Sequence, residues 1–133
     1  VNWVYTLAMY WLRIQTITNV KPGDYIIYGA NPATKFVGHS VIVASNMVAV
    51  GDGSYVFSVY DSTGGPHGTK DTRITDARSG ANPATKTVGS GTGSGVMRIF
   101  TNPNGTFNHA QWSPVSGGPT MRGVSITVGR ALN

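Results

Sequence analysis

The order of apolar and polar positions predicts one helix followed by a series of strands. In "VNWVYTLAMYWL", residues 1–12, the apolar side chains recur at helical spacing, which predicts an amphipathic helix. Six later segments are rich in β-branched and aromatic residues and are bounded by Gly, Pro, Asn or Ser, a pattern typical of strands. These segments are "YIIY" at 25–28, "HSVIVAS" at 39–45, "SYVFSVYDS" at 54–62, "GVMRIFT" at 95–101, "TFNHAQWS" at 106–113 and "RGVSITVGRA" at 122–131.

The connections between these segments favour antiparallel pairing. Pro22-Gly23 and Asp52-Gly53 are turn dipeptides, and "NPNG" at 102–105 is a strong hairpin signal. A helix followed by antiparallel strands is an α+β plan, here an antiparallel sheet or partial barrel flanked by the N-terminal helix. The length, 133 residues, predicts a single domain over 1–133.

Composition narrows the class of protein. All five acidic residues are aspartates, only 11% of residues are charged, and there are 18 glycines, which favours strands and turns. The net charge of +5 is scattered without a basic run, so no specific nucleic-acid partner is indicated, whereas a polyanionic surface such as a bacterial wall is compatible. The absence of cysteine excludes disulfides and a thiolate metal site. No transmembrane segment or signal peptide is evident.

One heptapeptide occurs twice. "GANPATK" stands at 29–35 and again at 80–86, but the first copy leads into "HSVIVAS" and the second into "SGTGSGVM". A duplicated unit would repeat its strand pattern as well, so we interpret the two copies as connecting loops. Either they share one turn solution, or both line a single cleft, beside His39 in one case and beside Gly91 to Gly95 in the other.

The order of several motifs resembles a known family. "KPGDYIIYG", "VGHSVIVAS", "YDSTGGPHGTKDTR", "GTGSGVMRIF" and "QWSP" together are similar to the NlpC/P60-type cysteine peptidases of the papain-like superfamily, and to an exported bacterial group within it. The resemblance covers about residues 11 to 130. It implies a cysteine nucleophile on an N-terminal helix, a histidine base at a strand start, and a polar residue that orients the base. Carried over, His39 is the base and Asp61 orients it, while the cysteine has no counterpart.

Such a site also follows a general chemical logic. A thiolate needs a base within hydrogen-bond reach, and the imidazole needs a third group that fixes its tautomer. For His39 to meet Asp61, their strands must pair with residue numbers that add to about 100, whereas a tight turn at Asp52-Gly53 gives about 105. The latter register separates the two by about 17 Å along the strand. The catalytic hypothesis therefore requires a wider loop or a bulge within residues 46–54.

The segment after Asp61 supplies further candidates. Ser62, His67, Asp71 and Arg73 are predicted to contact substrate, with Arg73 as a fork for carboxylates. The alternative is a surface loop held together by Asp71 and Arg73. Ser62 follows Asp61 directly, so its hydroxyl is expected on the opposite face of the strand and is a poor substitute nucleophile. A metal site of His39, Asp61 and His67 is formally open but has no supporting motif spacing. No metal or other cofactor is therefore predicted.

Three functions follow from these observations. The first is an NlpC/P60-like cell-wall peptidase or amidase-type domain without its nucleophilic cysteine, inactive or truncated as written. The second is a non-catalytic module that binds peptidoglycan or another wall peptide or glycan. The third is an exported structural subunit, in keeping with the Gly, Thr, Asn and Ser content. All three predict a secreted or cell-envelope location.

Overall fold

The chain is built almost entirely from short strands. The structure, a computed structural model, describes residues 10–82 and 84–132. In these ranges the strands are β1 (Trp11–Ile14), β2 (Tyr25–Tyr28), β3 (His39–Val43), β4 (Val48–Ala49), β5 (Ser54–Thr63), β6 (Gly91–Thr101), β7 (Phe107–Gln111), β8 (Thr120–Met121) and β9 (Ile126–Ala131). Apart from Tyr10, which is assigned as helical, the helical residues of the described ranges form three-residue 3₁₀ turns, at Ile17–Asn19, Pro32–Thr34, Thr72–Ile74, Ala77–Ser79 and Pro114–Ser116. None of these turns has the length or apolar character to cross a membrane.

All nine strands belong to one antiparallel sheet. Neighbouring strands follow the order β1-β9-β2-β3-β5-β6-β7-β8, and β4 pairs with β5 as well. The hairpin predicted at "NPNG" joins β6 to β7, where Asn102 N–H donates to the Thr106 carbonyl at 2.9 Å. β7 contacts β9 although the two are not neighbours in the sheet, so the sheet curls around its inner face.

The expected α+β fold with an N-terminal helix is wrong. Residues 1–9 of the predicted helix lie outside the described residues, but Trp11–Ile14 forms strand β1, which pairs with β9. Because Trp11 packs edge-on against Tyr25 at a centroid distance of 6.0 Å and Ile14 enters the core, tertiary pairing outweighs the helical spacing of the apolar positions. The domain is therefore a mostly antiparallel β-protein.

The inner face of the sheet carries the core. Alternate residues of the strands point inward, which follows from the period of two along a strand. The buried apolar residues are Ile14, Ile17, Val20, Ile26, Tyr28, Val41, Val43, Phe57, Val59, Met97, Ile99, Ala110 and Val128. At one end of the sheet this apolar inner row continues into polar residues, and there the candidate site begins.

The register of β3 on β5 contains an irregularity that brings His39 near Asp61. Near the turn, β4 pairs with β5 so that paired residue numbers add to 104, as for Val48 and Val56. Beyond residues 44–47 the sum falls to 102, as for Ile42 and Tyr60. The chain between β3 and β4 thus holds two more residues than the facing part of β5, and this shifts the register. Part of this segment lies within residues 46–54, where the catalytic hypothesis requires a wider loop or a bulge. Continued, this register places Asp61 opposite Val41.

Candidate functional site

His39 and Asp61 meet at the end of the inner face. Since Asp61 lies opposite Val41, and His39 is two residues before Val41, both side chains project from the same face as a diagonal cross-strand pair. His39 Nε2 lies 2.6 Å from Asp61 Oδ2. Asp61 is buried, whereas the His39 side chain is 15% exposed. The structure therefore brings together the two residues that the sequence assigns as base and orienting group.

A second histidine binds the same carboxylate oxygen. His67 Nε2 lies 2.8 Å from Asp61 Oδ2, and its Nδ1 lies 3.0 Å from the main-chain carbonyl of Trp112. A carboxylate and a carbonyl are both acceptors, so the imidazolium form of His67 is the one that satisfies both contacts. His67 is completely buried, and it shares Asp61 Oδ2 with His39.

Arg73 completes the surroundings of Asp61. Its Nη2 donates to the Asp61 main-chain carbonyl at 2.9 Å and also binds Asp61 Oδ1. Its Nη1 donates to Asp71 Oδ2 at 2.7 Å, and its Nε donates to the Gly91 carbonyl at 2.7 Å. Asp71 in turn accepts from the main-chain N–H of His67 at 2.7 Å. The guanidinium is fully buried, and its donors link two aspartates to the start of β6.

These contacts keep Asp61 ionised despite its burial. Burial alone opposes the charged form, but hydrogen bonds from His39, His67 and Arg73, together with the charge of His67, hold the pKa of Asp61 well below its usual range. With an imidazolium at His67, two cations balance Asp61 and Asp71. A buried charge is tolerated only when paired in this way. We call His39, Asp61, His67, Asp71 and Arg73 the buried network.

The glycines of "GTGSG" at 91–95 make room for the buried network. A Cβ at Gly93 would lie 2.8 Å from Arg73 side-chain atoms, and one at Gly95 would lie 2.6 Å from His67 Cβ. A Cβ at Gly89 would lie 2.7 Å from the Arg73 carbonyl. These distances are shorter than van der Waals contact, so side chains at these positions would displace the network. The glycine run therefore serves packing.

Two aromatic residues border the histidines. The Trp112 ring lies 4.9 Å from His39 and 4.0 Å from His67, centroid to centroid, and its Nε1 donates to the Pro66 carbonyl at 3.2 Å. Tyr28 is the cross-strand partner of His39, and its buried hydroxyl has no hydrogen-bond partner in the described part of the chain. Burial and then the charge of Asp61 raise the pKa of Tyr28, so it remains a neutral donor.

A groove of about 790 Å³ lies against the sheet beside the network. Its lining includes His39 and Tyr28, together with residues whose side chains alternate with the core residues of β2, β3 and β5. These outward-facing residues are Tyr25, Ile27, Ser40, Ile42, Tyr60 and Ser62. The groove combines aromatic and aliphatic surface with hydroxyl groups and has the size of a small-ligand site.

His39, Asp61 and His67 are also of the right types to bind a metal ion, and their ligand atoms lie within 4.8 Å of one another. Two ligand atoms of a tetrahedral zinc ion are about 3.3 Å apart, given bonds of about 2.0 Å. The separations of 2.6 and 2.8 Å from the two Nε2 atoms to Asp61 Oδ2 are instead those of hydrogen bonds. The arrangement therefore fits a proton-linked network better than a metal centre.

The described residues of the two GANPATK loops share their main local contacts. Asn31 Oδ1 accepts from Ala33 N–H at 3.1 Å, and Asn82 Oδ1 accepts from Ala84 N–H at 3.1 Å. Each asparagine also forms an isolated bridge with the residue five positions later, Phe36 or Thr87. Lys35 and Lys86 both have a left-handed backbone, with φ of 58° and 56°. The shared sequence thus encodes one shared turn.

Both loops also lie at the same end of the sheet. The first leads into β3 and the second into β6, and both strands run antiparallel to the intervening β5. Their starts are therefore side by side, at the end where β5 reaches Asp61 and Thr63. The loops therefore lie at the same end of the sheet as the candidate site, but of their described residues only Ala30 of the first loop lines the groove, so the interpretation that both loops line one cleft stays a prediction.

The remaining predicted site residues occupy two different environments. Ser62 is exposed on the outer face and lines the groove, directed away from the face of His39 and Asp61. His67, Asp71 and Arg73 are instead buried, so they support Asp61 and do not present surface to a substrate. Asp71 and Arg73 do form an ion pair, but not on the surface.

The sequence did not predict that Trp112 and Tyr28 border the site, or that Gly93 and Gly95 make room for the buried network. "QWSP" and "GTGSG" were signals for two of them, because a tryptophan beside a turn and closely spaced glycines in a strand both indicate close packing. Comparison of the chain with models of protein families, with curated proteins and with solved structures finds no match.

Proposed function

We propose that this chain is an NlpC/P60-like cell-wall peptidase or amidase-type domain whose site retains the base half of a hydrolase and lacks a nucleophilic cysteine. The single observation that carries the proposal is the contact of His39 Nε2 with Asp61 Oδ2 at 2.6 Å. Nδ1 of the same ring has no hydrogen bond to the described residues. A histidine that is held by a carboxylate at one ring nitrogen and free at the other has the arrangement a general base requires. His39 also borders the groove, although its side chain lies on the inner face with Asp61 and most of the groove residues lie on the outer face.

The network accounts for the protonation state of this base. An ionised Asp61 accepts the Nε2 proton of His39, which leaves the lone pair on Nδ1, and it stabilises the imidazolium after Nδ1 takes up a proton. His67 and Arg73 keep Asp61 ionised and fixed in position. They are therefore positioning residues, whereas His39 is the group that would exchange a proton with a bound nucleophile.

The nucleophile is the missing part. The sequence has no cysteine, and a hydroxyl is a far weaker nucleophile than a thiolate. Ser62 projects from the opposite face of β5 from Asp61, which supports its exclusion. We therefore expect this chain to bind wall peptide without hydrolysing it.

The groove supports a peptide or glycan ligand of the cell wall. Tyr25, Ile27 and Tyr60 offer apolar contact area, and Ser40 and Ser62 offer hydroxyls for hydrogen bonds. Such a partner also places the domain outside the cytoplasm, in the envelope or secreted. A non-catalytic wall-binding module is the second candidate, and the observation that favours it is a formed groove in a chain without a thiol.

The test combines binding and turnover. Muropeptide is added to the isotope-labelled chain, backbone shifts are followed by NMR, and the same mixture is assayed for released peptide. We expect shifts in β2, β3 and β5 without turnover, and loss of the shifts near residue 39 in His39→Gln. The matched control is His109→Gln, because His109 lies on β7 stacked on Phe100.

Each alternative outcome has a definite meaning. Shifts confined to surfaces away from the groove would contradict the proposal. Turnover that is abolished by His39→Ala would show an active enzyme and overturn the expectation of inactivity. If Ser62→Ala abolished that turnover as well, Ser62 would be the nucleophile that the strand geometry argues against.

A further inference from the structure

The pairing of charges differs between arginines and lysines. Each of the five aspartates has an arginine partner: Asp24 with Arg130, Asp52 with Arg98, Asp61 and Asp71 with Arg73, and Asp76 with Arg78. Lysine forms no ion pair within the described residues, and neither do Arg13 and Arg122. The net charge of +5 therefore resides on cations whose partners are not side chains of this fold.

Four of these unpaired cations lie around the candidate site. Lys35 and Lys86 belong to the two GANPATK loops, which flank the end of β5. Lys70 immediately precedes Asp71 of the buried network, and the Arg122 carbonyl accepts a hydrogen bond from Asn31 of the first loop. All four are exposed, while Asp61 and Asp71 are buried and already paired. This end of the sheet therefore presents positive charge to solvent.

The two loop lysines occupy positions where glycine would be less strained. Among the described residues they are the only non-glycine residues with positive φ. A left-handed backbone is unfavourable for a residue with a Cβ, and glycine adopts it freely. In a chain with 18 glycines, both copies nevertheless carry lysine there. A strained residue that recurs at a site is a reason to look for a function of its side chain.

Each loop presents an apolar group beside its lysine. Val37 follows Lys35 by two residues and is 90% exposed, and Val88 follows Lys86 by two residues and is 50% exposed. The loops are thus two similar contacts, each with an ammonium group and a branched methyl pair, placed on either side of Asp61. Two similar contacts suit a ligand that carries two similar groups.

We propose that these loops bind the carboxylates of an acidic wall peptide, Lys35 and Lys86 each contacting one carboxylate while the peptide lies along the groove. This inference rests on the proposed function and specifies its substrate class. The ligand is anionic because the lysines have no acidic partner in the fold. It is peptidic because the first loop adjoins the groove through Ala30, and the second loop lies at the same end of the sheet. The repeat in the sequence then reflects two equivalent contacts to one ligand.

The experiment compares a muropeptide with free carboxylates and the same muropeptide with its carboxylates amidated, by calorimetric titration. The variants are Lys35→Gly, Lys86→Gly and the double variant, since glycine removes the ammonium and suits the loop backbone. Lys21→Gln is the matched control, an exposed lysine at the other end of β2. We expect each single variant to bind the acidic form about fivefold more weakly and the double variant about 20-fold more weakly, as for exposed ion pairs. Added salt should reduce binding in the same direction.

The outcomes separate this inference from the proposed function. Equal affinity for the free and amidated muropeptides would overturn the inference, whatever His39→Gln does. A loss in Lys21→Gln equal to that in the double variant would overturn it too, because the effect would then be one of net charge. Tighter binding of an oligonucleotide than of the acidic muropeptide would identify a different class of polyanion. Weaker binding in the double variant with no effect of His39→Gln would support the inference while contradicting the role of His39.

Discussion

The two ends of the sheet use the same chemical pair, aspartate with arginine, in different ways. At the end where β4 turns into β5, Asp52 pairs with Arg98, and both side chains are partly exposed. At the opposite end, Asp61 and Asp71 pair with Arg73, and all three side chains are fully buried. The exposed pair closes a turn, whereas the buried one surrounds an ionised carboxylate that contacts His39.

This difference shows what the buried network adds to the fold. A surface ion pair contributes little to stability, and apolar residues would fill the volume of the buried one at least as well. The network is therefore not explained by stability alone. What it provides is a fixed, ionised Asp61 beside a histidine that is partly open to solvent, an arrangement that is common at functional sites.

The largest contrast between the two ends should come from removing the guanidinium. Arg73→Met leaves Asp61 and Asp71 buried without their cation, so we expect a loss of about 3–5 kcal/mol in the free energy of unfolding. Arg98→Met at the exposed end should lose far less, because water screens Asp52. Urea denaturation at neutral pH measures both. Similar losses in the two variants would show that the ends do not differ as described.

A second contrast concerns pH. Asp61→Asn removes the charge that His39, His67 and Arg73 share, and should destabilise the chain by about 2 kcal/mol at pH 7. Because the pKa of folded Asp61 lies below its ordinary value of 3.8, its stabilisation is complete well above that value. It is lost as the pH falls through 3.8 toward the lowered pKa. The difference in unfolding free energy between wild type and Asp61→Asn should therefore shrink at acid pH.

Denaturation curves at several pH values would measure that difference. Asp52→Asn is the control from the exposed end. There a hydrogen bond from Ser54 lowers the pKa of Asp52, burial opposes this change, and the charge of Arg98 lowers the pKa further. A difference for Asp61→Asn that stays constant with pH would mean that Asp61 is not the ionised centre of the network.

The glycines of β6 that contact the buried network allow a test of how closely the network is packed. Gly95→Ala introduces a Cβ that would lie 2.6 Å from His67 Cβ and 2.7 Å from Asp71 Oδ2, so we expect destabilisation of about 1–3 kcal/mol. Gly65→Ala is the matched control, because a Cβ there meets nothing within 4 Å. Thermal unfolding of the two variants compares them. If the Gly95→Ala protein is as stable as the Gly65→Ala protein, His67 and Asp71 can shift to accommodate the added Cβ at little cost.

Sequence predicted the strands well because their signals are local. The alternation of apolar residues in β2, β3 and β5, together with "NPNG", is enough to place these strands and a hairpin. β1 was missed because "WLRI" has no clear strand pattern and depends on β9 for its pairing, whose partner residues lie 114 to 120 positions later in the chain. Local spacing could not reveal that partner, and it suggested a helix instead.

The candidate site was predicted in part for a similar reason. The pair of His39 and Asp61 was implied by a family resemblance, but its contact depends on two extra residues near Ser45 that no local pattern indicates. His67 and Arg73 were recognised as candidates, yet their burial was not. The burial of His67 and Arg73 depends on Gly93 and Gly95 of β6. These glycines lie 20 or more residues later in the chain, so no local pattern indicates the contact.

The smallest expected effect concerns the loops and tests their equivalence. Lys35 and Lys86 share one left-handed backbone conformation, so replacing either by glycine should relieve strain in the folded state while increasing the freedom of the unfolded chain. The first effect is about 1–2 kcal/mol and the second about 0.5–1 kcal/mol in the opposite direction, which leaves a gain of about 0.5–1 kcal/mol. Because the asparagine of each loop accepts the same hydrogen bond from an alanine N–H and the two lysines have nearly the same φ, the two gains should agree, and the double variant should show their sum. Thermal unfolding of the four proteins measures this.

A gain in only one loop would show that the copies differ energetically despite their common geometry, and a loss in both would show that the lysine side chains stabilise the fold through contacts of their own.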